Sequence, residues 1–224
     1  MQPELPANST TAAETTPADV AGTDEIPSYA LDDLSELGSY LPPLDDDRLR
    51  IAPPAGWHVE SRSRDHLARF VRDKTRRVPL PMITVLVEDA DFEDLRDLNA
   101  DNHLEFADFV EDGLEESTRE ALAEPVGPLI LGDVRIVRYV VKKTFERNKK
   151  KFAADREVIK TLKRGRVYTV LLDVYPNQLV EFRADAYAVV GGMQLHTPTE
   201  AGDASVGTNP AGDDKSDDPV PDEG

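Results

Sequence analysis

Glu157-Val-Ile-Lys-Thr-Leu162 and Val167-Tyr-Thr-Val-Leu-Leu-Asp-Val-Tyr175 are β-branched runs parted by Lys163-Arg-Gly-Arg166. That spacing suits a hairpin, and Gly165 can take a positive φ at no steric cost, so the two runs are predicted to pair antiparallel. In the second run Tyr168, Val170, Leu172 and Val174 fall on alternate positions and share one face. Upstream, Val134 to Phe145 is long and β-branched, and the pattern is β from Pro128 to Tyr175.

Working outward, Pro81 to Glu88 is nearly continuous in apolar residues and is predicted to lie deep in the sheet. Leu67 to Val71 reads as a weaker strand. Leu49 and Ile51 alternate with Arg48 and Arg50 in an edge-like strand stopped by prolines. Asn102 and Glu105 have the spacing of a capping box opening a helix that fades near Ser117. Leu104, Ala107, Val110 and Leu114 are expected on its apolar face, widened by Phe106 and Phe109. Leu179, Phe182, Ala186, Val189 and Val190 predict a closing helix that Gly191-Gly192 stops. Strands, helix, antiparallel strands, helix is the order of an α+β fold, an antiparallel β-sheet with two packed helices.

Leu49-Arg-Ile-Ala-Pro-Pro-Ala-Gly-Trp57, the strand at Ile83 to Val87, the helix from Asn102, and Gly165-Arg-Val-Tyr-Thr-Val-Leu-Leu172 followed by a helix together resemble the PsbP-like superfamily over residues 48–195. That superfamily takes in an extrinsic photosystem II subunit, a Ran-binding nuclear import factor and envelope proteins such as DcrB. The resemblance implies a non-catalytic binding or assembly role and carries no functional residue onto this chain.

The charge divides the chain. Residues 1–47 hold eleven acidic residues and no basic one, and residues 197–224 hold eight acids and Lys215. Residues 48–196 hold 25 of each sign. The expectation is one domain over 48–196 between two acidic, disordered tails too poor in apolar surface to offset their ordering entropy. Within the first tail, Tyr29, Leu31, Leu34, Leu37 and Tyr40 recur, either to meet a partner or to dock on their own domain. The absence of cysteine excludes disulfides, cysteine–zinc sites and thiol catalysis. No apolar run has membrane-spanning length and no signal peptide is visible. A start lying upstream of Met1 would suit an envelope or secreted protein.

Two stretches carry candidate sites. Lys142 to Arg166 holds eleven Lys or Arg and three acids, a net +8 in 25 residues. Lys142, Lys143, Arg147, Lys149, Lys150, Lys151, Lys163, Arg164 and Arg166 are the candidate surface for a protein partner or an acidic tail, the alternative being a solvated hairpin whose charges keep its edge strands from pairing with other chains. Nucleic acid is disfavoured, because the chain carries −18 overall and its own tails would compete. Asp97, Asn99, Asp101, Glu105 and Asp108 stand at positions 1, 3, 5, 9 and 12 of a calcium-loop spacing. Against it, Asn102 replaces the turn glycine and Asp108 is shorter than the bidentate glutamate. Asn102 capping a helix with an acidic first turn explains the same residues. The histidines, His58, His66, His103 and His196, are scattered and expected at the surface. No nucleophile elbow or phosphate-cradling loop is present, and no cofactor is expected. The reading is a non-enzymatic binding or assembly module acting through protein–protein contacts, with a small-ligand or calcium-binding domain centred on residues 97–108 as the alternative.

Overall fold

The computed structural model describes residues 26–196 apart from 62, 74–79, 95 and 148, with backbone alone at 147 and 150. The elements in order are β1 (Ser28–Tyr29), β2 (Leu49–Arg50), β3 (His58–Val59), β4 (Ala68–Val71), β5 (Met82–Asp89), α1 (His103–Asp112), α2 (Glu116–Glu120), β6 (Leu122–Leu131), β7 (Val134–Arg147), β8 (Lys150–Lys163), β9 (Arg166–Val174), α3 (Leu179–Gly191) and β10 (Gln194–Leu195). Eight strands form one sheet in the order β1-β6-β7-β8-β9-β5-β4-β3, and β10 pairs with β2 in a second, two-stranded sheet.

The β8–β9 hairpin forms as its turn requires: Arg164 (φ 51°) and Gly165 (φ 70°) are both left-handed, the signature of a tight turn whose twist matches the strands it joins. The sheet is not purely antiparallel as expected. β1 runs parallel to β6, with Pro27 O accepting from Ile130 N and Tyr29 O from Gly132 N. The reason lies in the segment expected to be tail. Leu34 and Leu41 pack against the main core and Leu44 is part of it. A Cβ on Gly132 would come within 2.6 Å of Leu31, one on Gly191 would meet Leu34 at 3.4 Å, and one on Gly192 would overlap Leu37. Residues 28–44 are thus a strap whose leucines seat on three glycines, and the fold starts well before Arg48. Gly192 ends α3 at an ordinary negative φ (−88°), so its need for glycine is close approach, not turn conformation.

α1 departs from expectation in two ways. Asn102 does not cap it: its Oδ1 accepts from Asn99 N and its Nδ2 donates to Asp94, so no side-chain bond reaches the helix, and Glu105 is exposed. The buried face is His103, Phe106, Ala107 and Val110, while Leu104 and Phe109 are exposed. The helix stops at Gly113, and the short α2 follows, a third helix where two were expected.

The sheet has one closed face and one half-open face. α3, the strap and the Ile51–Trp57 stretch close the first over Phe70, Ile83, Val85, Ile136, Val140, Ile159, Tyr168, Val170, Leu172 and Val174. On the second face, α1 and Phe92 cover Val137, Leu162 and Val167, and a small cluster of Val71, Leu80, Met82 and Ala154 lies at the far end. Burial at roughly 25 cal/mol per Å² makes the closed face the main source of stability. The middle of the second face has no element over it, and there the site lies.

Candidate functional site

Strand register builds the open patch in rungs. Tyr139 stands opposite Val158 and Val158 opposite Leu171; next along, Val141 pairs with Arg156 and Arg156 with Asp173; on the other side Lys160 pairs with Thr169 and Thr169 with Leu86. Together with Ser117, Thr118 and Ala121 from α2 and its C-cap, these residues, all but Asp173, line a groove of about 540 Å³. A second lobe of about 340 Å³, lined by Asp89, Asp91, Phe106, Phe109, Val110 and Leu114, shares Glu88, Tyr139 and Lys160 with it. The floor is aliphatic, because the strands alternate and every second residue of β7, β8 and β9 points here.

The polar groups of the groove are unevenly satisfied. Asp173, wholly buried, receives Arg156 in a bidentate pair at 2.6 and 2.8 Å. Lys160 reaches Glu88 at 3.0 Å. Two cations approach the Phe145 ring, the Arg156 guanidinium carbon at 5.6 Å and Lys143 Nζ at 5.9 Å from its centre. Lys143 has no ion pair among the described residues, and partial burial together with Arg156 lowers its pKa. Tyr139 is only 7% exposed, and its hydroxyl, which is not sealed from solvent, has no hydrogen-bond partner among the described residues. Thr169 is alike in this, and both line the groove. Burial pushes the Tyr139 phenol up, so it stays a neutral donor. An apolar floor with a few unpartnered polar groups is the make-up of a ligand site.

The closed face holds a second charged cluster whose groups satisfy one another. Glu157, 0% exposed, accepts from Arg183 Nε at 2.8 Å, Tyr187 Oη at 2.8 Å and Arg138 at 3.4 Å. Glu124 accepts from Arg183 at 2.8 Å and from Arg138. Burial, then the Glu157 carboxylate, raises the Tyr187 phenol far above its usual range. Burial would lift Glu124, but bonds from Arg138 and Arg183 outweigh it and hold it low. The cluster clamps α3 to β6, β7 and β8 where β6 bulges between Glu124 and Gly127.

The predicted basic site is divided by the sheet. Lys149 and Lys151 lie at one end of β8 and Lys163, Arg164 and Arg166 at the other, roughly 40 Å away at about 3.3 Å per residue. Of Arg147 and Lys150 only the backbone is described, and it places them with Lys149. Lys142 pairs with Asp155 at 2.8 Å, Lys163 with Asp97 at 3.6 Å, and Arg166 with Asp45 at 3.3 Å and Asp89 at 3.6 Å. Lys142 and Lys143 of the predicted set line the groove, and of the two only Lys143 has no ion pair among the described residues. The calcium spacing does not converge. Asp97 accepts from the Arg164 backbone N at 2.8 Å, Asn99 Oδ1 accepts from Asp101 N at 2.7 Å, and Glu105 and Asp108 lie on the exposed side of α1. Among the described residues no three metal-ligating side chains come together. Two histidines expected at the surface are buried: His66, and His103, whose Nε2 meets Ile136 O at 2.6 Å. Tyr139, Arg156, Lys160 and Thr169 were not singled out from sequence. Their signal is the period-two alternation Tyr139, Val141, Lys143 against Arg156, Val158, Lys160, legible once the register is known.

No family model and no curated protein matches the chain. Among solved structures it is similar to a protein of Bacteroides thetaiotaomicron (TM-score 0.43, 9% identity, 73% of this chain and 50% of that one). It is also similar to cyanobacterial PsbP (CyanoP) of Synechocystis (TM-score 0.38, 14% identity, 81% and 100%) and to LpqN of Mycobacterium tuberculosis, involved in cell envelope biogenesis (TM-score 0.37, 11% identity, 66% and 83%). The chain therefore spans half the length of the first of these. A PsbP protein thus stands among them, as the sequence resemblance anticipated. Among the described residues no helix is long and apolar enough to cross a membrane.

Proposed function

We propose that this chain is a non-enzymatic binding module whose site is the groove on the half-open sheet face. The observation that carries the reading is the pairing of an aliphatic floor with a phenol at Tyr139 that has no hydrogen-bond partner among the described residues and an unpaired ammonium at Lys143. A site of about 540 Å³ lies within the roughly 300–1,000 Å³ typical of small-ligand pockets. That size favours a compact ligand over a folded protein, which would need roughly 800 Å² of contact surface from each side. The small-ligand alternative therefore moves ahead of docking on the basic run, and its centre moves from residues 97–108 to the sheet.

The test exposes the full chain to an organic extract of its cells of origin, removes free solutes and records native mass spectra. Wild type is expected to retain a small molecule, and Leu171→Arg, folded by circular dichroism, to retain none. Retention of nothing by wild type, or of the same species by both, refutes the reading.

A further inference from the structure

Resting on that reading, we infer that the ligand is an anionic amphiphile, with a carboxylate or phosphate head at the Lys143–Arg156 end and a hydrocarbon body lying over Val158 and Leu171 toward Tyr139. The groove is electrically lopsided, and this sets both the ligand's charge and its direction. At one end Arg156 spends Nε and one Nη2 proton on Asp173, leaving Nη1 without an acceptor among the described residues. Beside it the three Nζ protons of Lys143 have none either, and both cations stand close to the Phe145 ring centre, Lys143 at 5.9 Å and Arg156 at 5.6 Å. Lys142, next in sequence, also lines the groove, but its ammonium is paired with Asp155 at 2.8 Å. At the opposite end the second lobe presents Asp89, Asp91 and Glu88 beside Phe106 and Phe109, with Lys160 paired to Glu88 and Arg166 to Asp89, so one acid is left in excess. An anionic head is repelled from that lobe and attracted to the Lys143 end, where a charge-assisted bond is stronger than a neutral one.

Between the ends the floor is aliphatic. Lys143 to Tyr139 is four steps along β7, about 14 Å at roughly 3.4 Å per residue, the reach of a medium-length alkyl chain. The Tyr139 phenol and the Thr169 hydroxyl are left to meet polar atoms partway along the body. The ligand is a free amphiphile and not a membrane surface, because the acidic lobe of the groove would face an anionic bilayer unfavourably.

The full chain is titrated calorimetrically with decanoate, decyl phosphate, decanol and decyltrimethylammonium, all below their micelle concentrations, and floated with phosphatidylglycerol vesicles. Decanoate and decyl phosphate are expected to bind, with decanol about tenfold or more weaker for want of the charged bond and the ammonium weaker still. Lys143→Arg should keep the order and Lys143→Glu should abolish or reverse it; this side chain is exposed, so both variants should fold. Equal binding of decanol and decanoate, an unchanged order in Lys143→Glu, or tighter binding to vesicles than to the monomers overturns the inference. If no decyl compound binds while wild type still retains a molecule from the extract, this inference fails and the binding-module reading stands.

Discussion

Glu157→Gln offers a quantitative test of how α3 is held. The carboxylate is 0% exposed and accepts three hydrogen bonds, two of them at 2.8 Å from Arg183 and Tyr187. Glutamine is nearly isosteric, so the change leaves no cavity. It removes the charge facing two arginines and sets an NH₂ donor against either Arg183 Nε or the Tyr187 hydroxyl. Breaking a buried pair by removing one partner costs roughly 3–5 kcal/mol. Here Glu124 still receives both arginines and is itself partly exposed, so the lower end, about 3 kcal/mol, is expected. At roughly 2–4 °C per kcal/mol for a domain of this size, Tm should fall by about 6–12 °C. Urea unfolding followed by circular dichroism gives the free energy, and calorimetry gives Tm. The double variant Glu157→Met with Arg183→Met should lose less than Glu157→Gln, because apolar replacement of both partners leaves no stranded charge. A Glu157→Gln protein within about 1 kcal/mol of wild type, below the cost expected of a broken buried pair, refutes the clamp.

Three further outcomes follow from the strap, the histidines and a strained turn. Gly192→Ala places a Cβ on Leu37 and 3.0 Å from Ala188 O, so Leu37 must leave its seat; a cost of about 1–3 kcal/mol is expected, with faster hydrogen exchange at Gly38 and Leu41, and wild-type exchange there would sink the idea. Burial, with Arg135 beside His103 and Arg69 beside His66, holds both rings below their ordinary 6.5. The unfolded chain therefore takes up protons first, so stability is full above about pH 6.5 and falls as pH drops below it, to be measured by urea unfolding at pH 7.5 and 5.5 in wild type and His103→Gln. A variant that declines as steeply as wild type removes His103 from the account. Asp45, Asp46 and Asp47 are consecutive left-handed residues with φ of 52°, 53° and 65°. Exposed Asp46→Gly should gain about 1 kcal/mol in thermal or urea unfolding, and no gain would mean the turn is unstrained.

Much of the sheet was legible because its signals are local. Gly165 behind Arg164 marks the hairpin, and the alternation from Tyr168 to Val174 marks its inward face. The strap was legible only as one of two readings, docking on its own domain or meeting a partner, because Leu31, Leu34 and Leu37 lie in a run with acids and no bases. Their seats, Gly132, Gly191 and Gly192, are distant in sequence. Leu104 misled for a related reason: helical spacing defines a stripe, but tertiary contact selected His103 and Phe106 for burial. The +8 run misled because linear density is not surface density, and a strand of 14 residues carries the two ends of one charge cluster far apart. The groove needed the β7–β8 register, which sets Tyr139 against Val158 and Val141 against Arg156 and is fixed by a turn that no glycine announces.

The pairing of β10 with β2 has a bearing on biosynthesis. Leu49 and Ile51 sit at the centre of the closed core, yet Leu49 pairs with Leu195 and Arg48 O accepts from His196 N at 2.8 Å. On the ribosome, the early part of the domain must wait for the last described residues before its β-partner exists. Such long-range closure is slow and leaves apolar surface uncovered meanwhile. A nascent chain halted before α3 would present to chaperones the part of the closed face that α3 covers.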